Sequence, residues 1–224
     1  MALDKDIVGS IEFLEVEGLQ GSTYLLKGPN GEQVKLNQSE IAEEDEFEIG
    51  EEYSFFVYPN RAGELFATQN MPDITKDKYD FAKVLKTDRD GAHIDVGLPR
   101  EVLVPWEDLP KLKELWPQAG DYLLVTLRID SNNQMFGRLA SETIVEGMFT
   151  PVMDESKQNE MIEARAYRLL RVGSFLLNED GYKIFVHESE RKEEPRLGEK
   201  VEVRIIGHNA VSYTHLTLPT TPYV

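Results

Sequence analysis

Four residues in the last third of the chain, Phe175, Lys183, Phe185 and His187, combine the side-chain types that a single-stranded nucleic acid requires. An aromatic face stacks on a base, worth about 1–3 kcal/mol per base. An ammonium pairs with phosphate, and an imidazole does so once protonated. Lys183, Phe185 and His187 stand two apart, so on a strand they share one face. If Ile184 and Val186 enter a core, those three face outward. If Leu176 does the same on the preceding strand, Phe175 faces outward beside them. One ammonium, one imidazole and two aromatic rings then form a surface for base and phosphate.

Other chemistries find little support. With no cysteine, disulfides, zinc ribbons and thiol nucleophiles are excluded. The four histidines never fall at a metal-ligand spacing. The run Glu43-Glu44-Asp45-Glu46 lacks the alternating spacing of a calcium loop and reads as a solvated loop. No phosphate-cradling glycine loop, nucleophile elbow or His-Asp-Ser set is recognisable. Neither catalysis nor a cofactor or metal is expected. No apolar run approaches the length of a membrane span, and Met1 to Val8 carries no signal-peptide pattern. A cytoplasmic, monomeric protein is expected.

The net charge of −17 argues at first against a polyanionic partner, but it is unevenly spread. The first 70 residues hold 4 Lys+Arg against 15 Asp+Glu, whereas residues 161–224 hold 9 of each. Electrostatics therefore favours the last third for any phosphate contact.

The elements that must position these residues recur three times at a spacing of roughly 70 to 80 residues. Each copy reads as an alternating strand, a turn, two further short strands, an irregular stretch, a Gly-Glu or Gly-Asp turn and another strong strand. Asn30-Gly31, Asp90-Gly91 and Asp180-Gly181 are the turn dipeptides. Five short strands per copy predict an all-β chain of tandem OB-type barrels. The predicted domains are 1–70, 71–143 and 144–209. The third copy stops after its fourth strand, which predicts an incomplete barrel. Helix is expected only over Trp106 to Leu115 and Asp154 to Ile162. From Asn209 to Val224 no residue is charged, and Ala210 to Leu216 resembles a translated sequencing-adapter end. Residues 210–224 are accordingly read as a non-native tail.

Phe185-Val186-His187-Glu188-Ser189-Glu190, following Val172-Gly173-Ser174-Phe175-Leu176, resembles the S1 RNA-binding domain. Its pattern is a Gly-x-Phe-Val strand and then a Val-His-x-Ser-Glu strand. The whole arrangement, including Asp95 to Trp106, resembles the conserved virulence factor B family of Firmicutes, which carries three tandem S1-like domains and then a winged helix. The resemblance covers residues 1 to about 209 and implies RNA binding. In the first copy the equivalent positions are read as Tyr24, Lys35 and Asn37. In the second they are His93 and Pro105, with Phe136 or Arg138 on the closing strand. Proline there departs from the motif histidine and puts RNA contact by that strand in doubt.

Two functions compete. One is a single-stranded RNA binder in post-transcriptional regulation, its weak sites multiplied by tandem repetition. The other is an acidic protein-interaction module docking on the ribosome or the RNA-decay machinery.

Overall fold

The computed structural model describes residues 7–41, 46–148, 158–191, 193–208 and 214–217. Most of the acidic run at 43–46 lies outside them. Strands dominate, arranged as three five-stranded barrels. By proximity the chain divides into two compact units, one of residues 1–80, 94–103 and 125–138, the other of 81–93, 104–124 and 139–224. The second barrel contributes residues to both.

The first barrel comprises β1 (Ile11–Gln20), β2 (Thr23–Lys27), β3 (Gln33–Asn37), β4 (Glu52–Pro59) and β5 (Leu65–Thr68). It closes in the order β1-β2-β3-β5-β4. Alternation does the sorting: Leu14, Val16, Leu26, Val34, Leu36, Phe55 and Val57 point inward and form its core. Gly31 takes a positive φ of 87° in the Asn-Gly turn that joins β2 to β3.

The second barrel is built from β6 (Asp80–Asp88), β7 (Gly91–Asp95), β8 (Val102–Pro105), β9 (Tyr122–Ile129) and β10 (Met135–Leu139). Val84, Ile94, Val104, Val125 and Leu127 are among its fully buried residues. The third has β11 (Met161–Leu170), β12 (Gly173–Leu177), β13 (Lys183–His187) and β14 (Lys200–His208). Its core is Ala164, Ala166, Leu176, Ile184, Val186, Val203 and Ile205.

In every barrel the third strand runs into one 3-10 turn, fixed by the same backbone bond. Gln38 N–H donates to Ser22 O at 2.9 Å, Trp106 to Asp90 at 3.0 Å and Glu188 to Val172 at 3.1 Å. Positions along the second and third strands of the three copies therefore correspond residue for residue.

Three expectations need correction. The stretch from Trp106 to Leu115 is no helix but two 3-10 turns, Trp106–Asp108 and Lys113–Leu115. Pro110 between them lacks the N–H that a continuous helix needs there. Of the segment 154–162, residues 154–157 lie outside the described residues, and Met161 already opens β11. The third barrel is not left with four strands. β15 (Thr214–Thr217) pairs antiparallel with β14 and parallel with β13, closing the sheet. An edge of unpaired backbone groups accepts any strand-compatible segment within reach, and threonine-rich sequence is strand-compatible. One element was unforeseen: α1 (Glu142–Met148), between the second and third barrels.

Candidate nucleic-acid interface

The β12–β13 hairpin sets the register of the third barrel's outer face. Phe175 lies opposite Phe185, Leu177 opposite Lys183 and Gly173 opposite His187. Because Leu176, Ile184 and Val186 belong to the core, Phe175, Phe185 and His187 stand outside it. The rings run in series, Phe175 to Phe185 at 4.9 Å between centroids and Phe185 to His187 at 6.2 Å. Gly173 lets this row sit against the backbone. A Cβ there would meet the Phe185 ring at 2.6 Å and crowd the carbonyl of Val186. Gly91 makes the same close approach in the second barrel, against the carbonyl of Val104.

Two residues that the sequence reading missed complete the face. The pairing of β11 with β12 slips between Ala166 and Arg168, so that Arg168 comes opposite Phe175. Such a bulge re-aims side chains. Tyr167 packs on Phe175 at 6.2 Å, and the Arg168 guanidinium carbon lies 5.9 Å from the same ring. A signal was present: the inward parity carried by Ala164 and Ala166 breaks at Leu169.

The expected open platform is, however, covered. Phe175 is only 8% exposed, and the Lys183 side chain only 2%. Phe175 is ringed by Tyr167, Phe185, Arg168 and Lys183, and Lys183 is in turn capped by Glu142, the first residue of α1. Its carboxylate accepts from Lys183 Nζ, from Arg168 Nη1 at 3.1 Å and from the Tyr167 hydroxyl at 3.1 Å. Burial alone would raise the Glu142 carboxyl, but these bonds and the Lys183 charge hold it below the usual glutamate range. Strand parity tells which way a side chain points but not what lies over it.

His187 keeps a half-exposed position. Its Nδ1 accepts from the Ser189 backbone N–H at 3.2 Å and lies 2.8 Å from the Ser189 hydroxyl. A ring whose Nδ1 accepts carries its proton on Nε2. The neutral imidazole can therefore donate a hydrogen bond to a base or a phosphate without being protonated.

The first barrel is poorer. Tyr24 shares the parity of inward Leu26, and its ring packs edge-on to Phe47 against the core, so it is no outer-face platform. The residue matching Phe175 is Leu25, which lies opposite Gly18 and Lys35 as Phe175 lies opposite Arg168 and Phe185. The equivalence was drawn one residue out of register, which on a strand flips the face. Lys35 is bonded to Glu64 at 2.8 Å and lies 6.0 Å from the Phe66 ring. Asn37 accepts from the Thr23 hydroxyl at 3.3 Å.

In the second barrel His93 Nε2 lies 2.9 Å from Asp88 Oδ2, and Arg138 is solvent-exposed on β10. Phe136 pairs with Leu103. Among the described residues no cluster of His, Asp and Glu could hold a metal ion, and no helix is long and apolar enough to cross a membrane.

Three family models match the chain in tandem. Residues 8–70 match an S1 domain, residues 79–138 the "CvfB first S1-like domain", and residues 148–220 "Virulence regulatory factor CvfB, second domain". Conserved virulence factor B of Staphylococcus epidermidis is 90% identical over 209 residues, covering 93% of this chain and 70% of that protein. The chain belongs to the conserved virulence factor B family. The Staphylococcus aureus USA300 member is 83% identical over the same share. A solved structure, described as a multidomain protein with nucleic acid binding domains from Streptococcus pneumoniae, superposes with a TM-score of 0.83 at 28% identity. It covers 97% of this chain and 76% of that one. The family is one of virulence regulatory factors built on S1-like domains, and no catalytic family matches among these models.

Proposed function

We propose that this chain binds single-stranded RNA through the outer face of its third barrel and acts in post-transcriptional regulation of gene expression. It works in the cytoplasm as a monomer and catalyses nothing. The observation that carries this reading is the row Phe175, Phe185 and His187, flanked by Arg168 and Lys183 on neighbouring strands. Aromatic rings offer sequence-tolerant stacking, and flanking cations serve the backbone between bases. The domain limits 1–70, 71–143 and 144–209 assign one S1-like module to each copy.

The other two barrels contribute less. Where the third has Arg168 and Phe185, the first has Gly18 and Lys35, with Lys35 engaged by Glu64. A second reading applies to that first barrel. Phe13 is 67% exposed on β1, next to Ile11 at 44%, in the most acidic part of the chain. An acidic, partly apolar face suits a protein partner in the translation or RNA-decay machinery better than RNA.

Substitution separates the barrels. Arg168→Met, Lys183→Met and His187→Ala are each expected to weaken oligouridylate binding by about tenfold, since hydrogen bonds to charged groups are worth about 1.5–3 kcal/mol. Lys35→Met and Arg138→Met are expected to stay within about twofold, as solvent-exposed charges contribute little. Fluorescence anisotropy on the full chain measures all five. Equal losses at both ends would overturn the assignment to the third barrel.

A further inference from the structure

We propose that Tyr167, Arg168 and Lys183 form a phosphodiester-binding subsite, and that Glu142 of α1 occupies it as an internal stand-in until RNA displaces it. The inference rests on the RNA-binding reading above and adds to it a named phosphate position and a competitor built into the chain.

The chemistry of the pair matches. A carboxylate and a phosphodiester each spread one negative charge over two terminal oxygens. Both Glu142 oxygens are engaged, Oε1 by Lys183 and Oε2 by Arg168 and Tyr167. Lys183 also has Glu146 Oε1 at 3.5 Å, so two acidic residues of α1 face one lysine. The three donors converge beside the Phe175 ring, where the phosphate linking two stacked bases would lie.

The first barrel lacks this site. The pairing shift that brings Arg168 opposite Phe175 brings Gly18 opposite Leu25 in the first barrel, with Glu17 where Tyr167 stands. Gln33 holds the Lys183 position there, opposite Lys27 as Lys183 is opposite Leu177. Burying a lysine costs desolvation that an apolar residue would avoid. A purely structural role does not explain why tyrosine, arginine and lysine all converge here.

The lid is also weakly held. A helix of seven residues is far below the length that is stable on its own in water. Among its described side chains only Val145 is buried, and Glu142 supplies the polar anchor. Such an element can be exchanged for a ligand that offers the same charge.

The test uses the full chain and oligouridylate. Glu142→Gln keeps the size of the side chain and removes its charge. It is expected to tighten RNA binding by about tenfold, the penalty lifted when a site had been open about a tenth of the time. Its log–log salt slope should match that of the unmodified chain, since Arg168 and Lys183 meet the same phosphates in both complexes. Adding Lys183→Met to that variant should erase the gain. In the unmodified chain, amide exchange over 142–148 should speed up when RNA binds, a readout that no variant's folding can confuse. If the unmodified chain binds RNA but Glu142→Gln does not tighten binding, or helix exchange is equally slow with RNA present, the subsite is overturned and the RNA reading stands. If no form binds RNA, both fall together.

Discussion

Leu176→Ala is expected to destabilise the third barrel by about 2–5 kcal/mol, the usual cost of a large-to-small change in a packed core. Leu176 is fully buried among Ala164, Ala166, Ile184, Val186, Val203 and Ile205. The cluster has two alanines and four β-branched residues, which are stiff at χ1 and slow to collapse into a void. The cost should therefore sit toward the upper half of that range. Thermal or urea unfolding followed by circular dichroism measures it, and any RNA bound by the fraction that stays folded should be bound normally. A loss of less than about 1 kcal/mol would mean that Leu176 is not a core residue, and that the parity of β12 is reversed.

Phe185→Ala, opposite that leucine's neighbour Phe175, should do the reverse. Phe185 is only half-buried, and its ring lies between Phe175 and His187 on the outer face. Removing a stacking platform costs about 1–3 kcal/mol in RNA affinity, roughly fivefold to 150-fold. Stability should fall by less than in Leu176→Ala, because the ring lies outside the core cluster. Phe175 is a less clean probe. At 8% exposed, with Tyr167, Phe185, Arg168 and Lys183 around it, its truncation removes packing as well as a stacking face. Phe175→Ala should lower both stability and affinity. A Phe185→Ala variant that melts early yet binds RNA normally would assign the ring to packing alone.

The barrels were legible because they rest on period-two alternation and on Asn-Gly and Asp-Gly turns, both local signals. Leu176, Ile184 and Val186 inside, with Phe175 and Phe185 outside, followed from that period once one residue was placed. What failed did so for particular reasons. Tyr24 was matched one position out of register, and the mismatch shows only when Leu25 is seen opposite Gly18 and Lys35. Arg168 and Tyr167 were missed because a bulge resets the period. The cover by Glu142 lay beyond local pattern altogether, since it joins residues 41 apart in sequence across two elements. The pairing of Thr214–Thr217 with β14 was not foreseen, because an open sheet edge selects for backbone, not for charge.

The central claim is that the third barrel meets the phosphates of single-stranded RNA, and a salt titration tests it most directly. Oligouridylate affinity of the full chain should fall linearly in log–log form with salt, with a slope of about −1.4 or steeper if Arg168 and Lys183 each meet one phosphate. Lys183→Met should flatten that slope by about 0.7. A flat line, or no RNA binding at the lowest salt, would contradict the account.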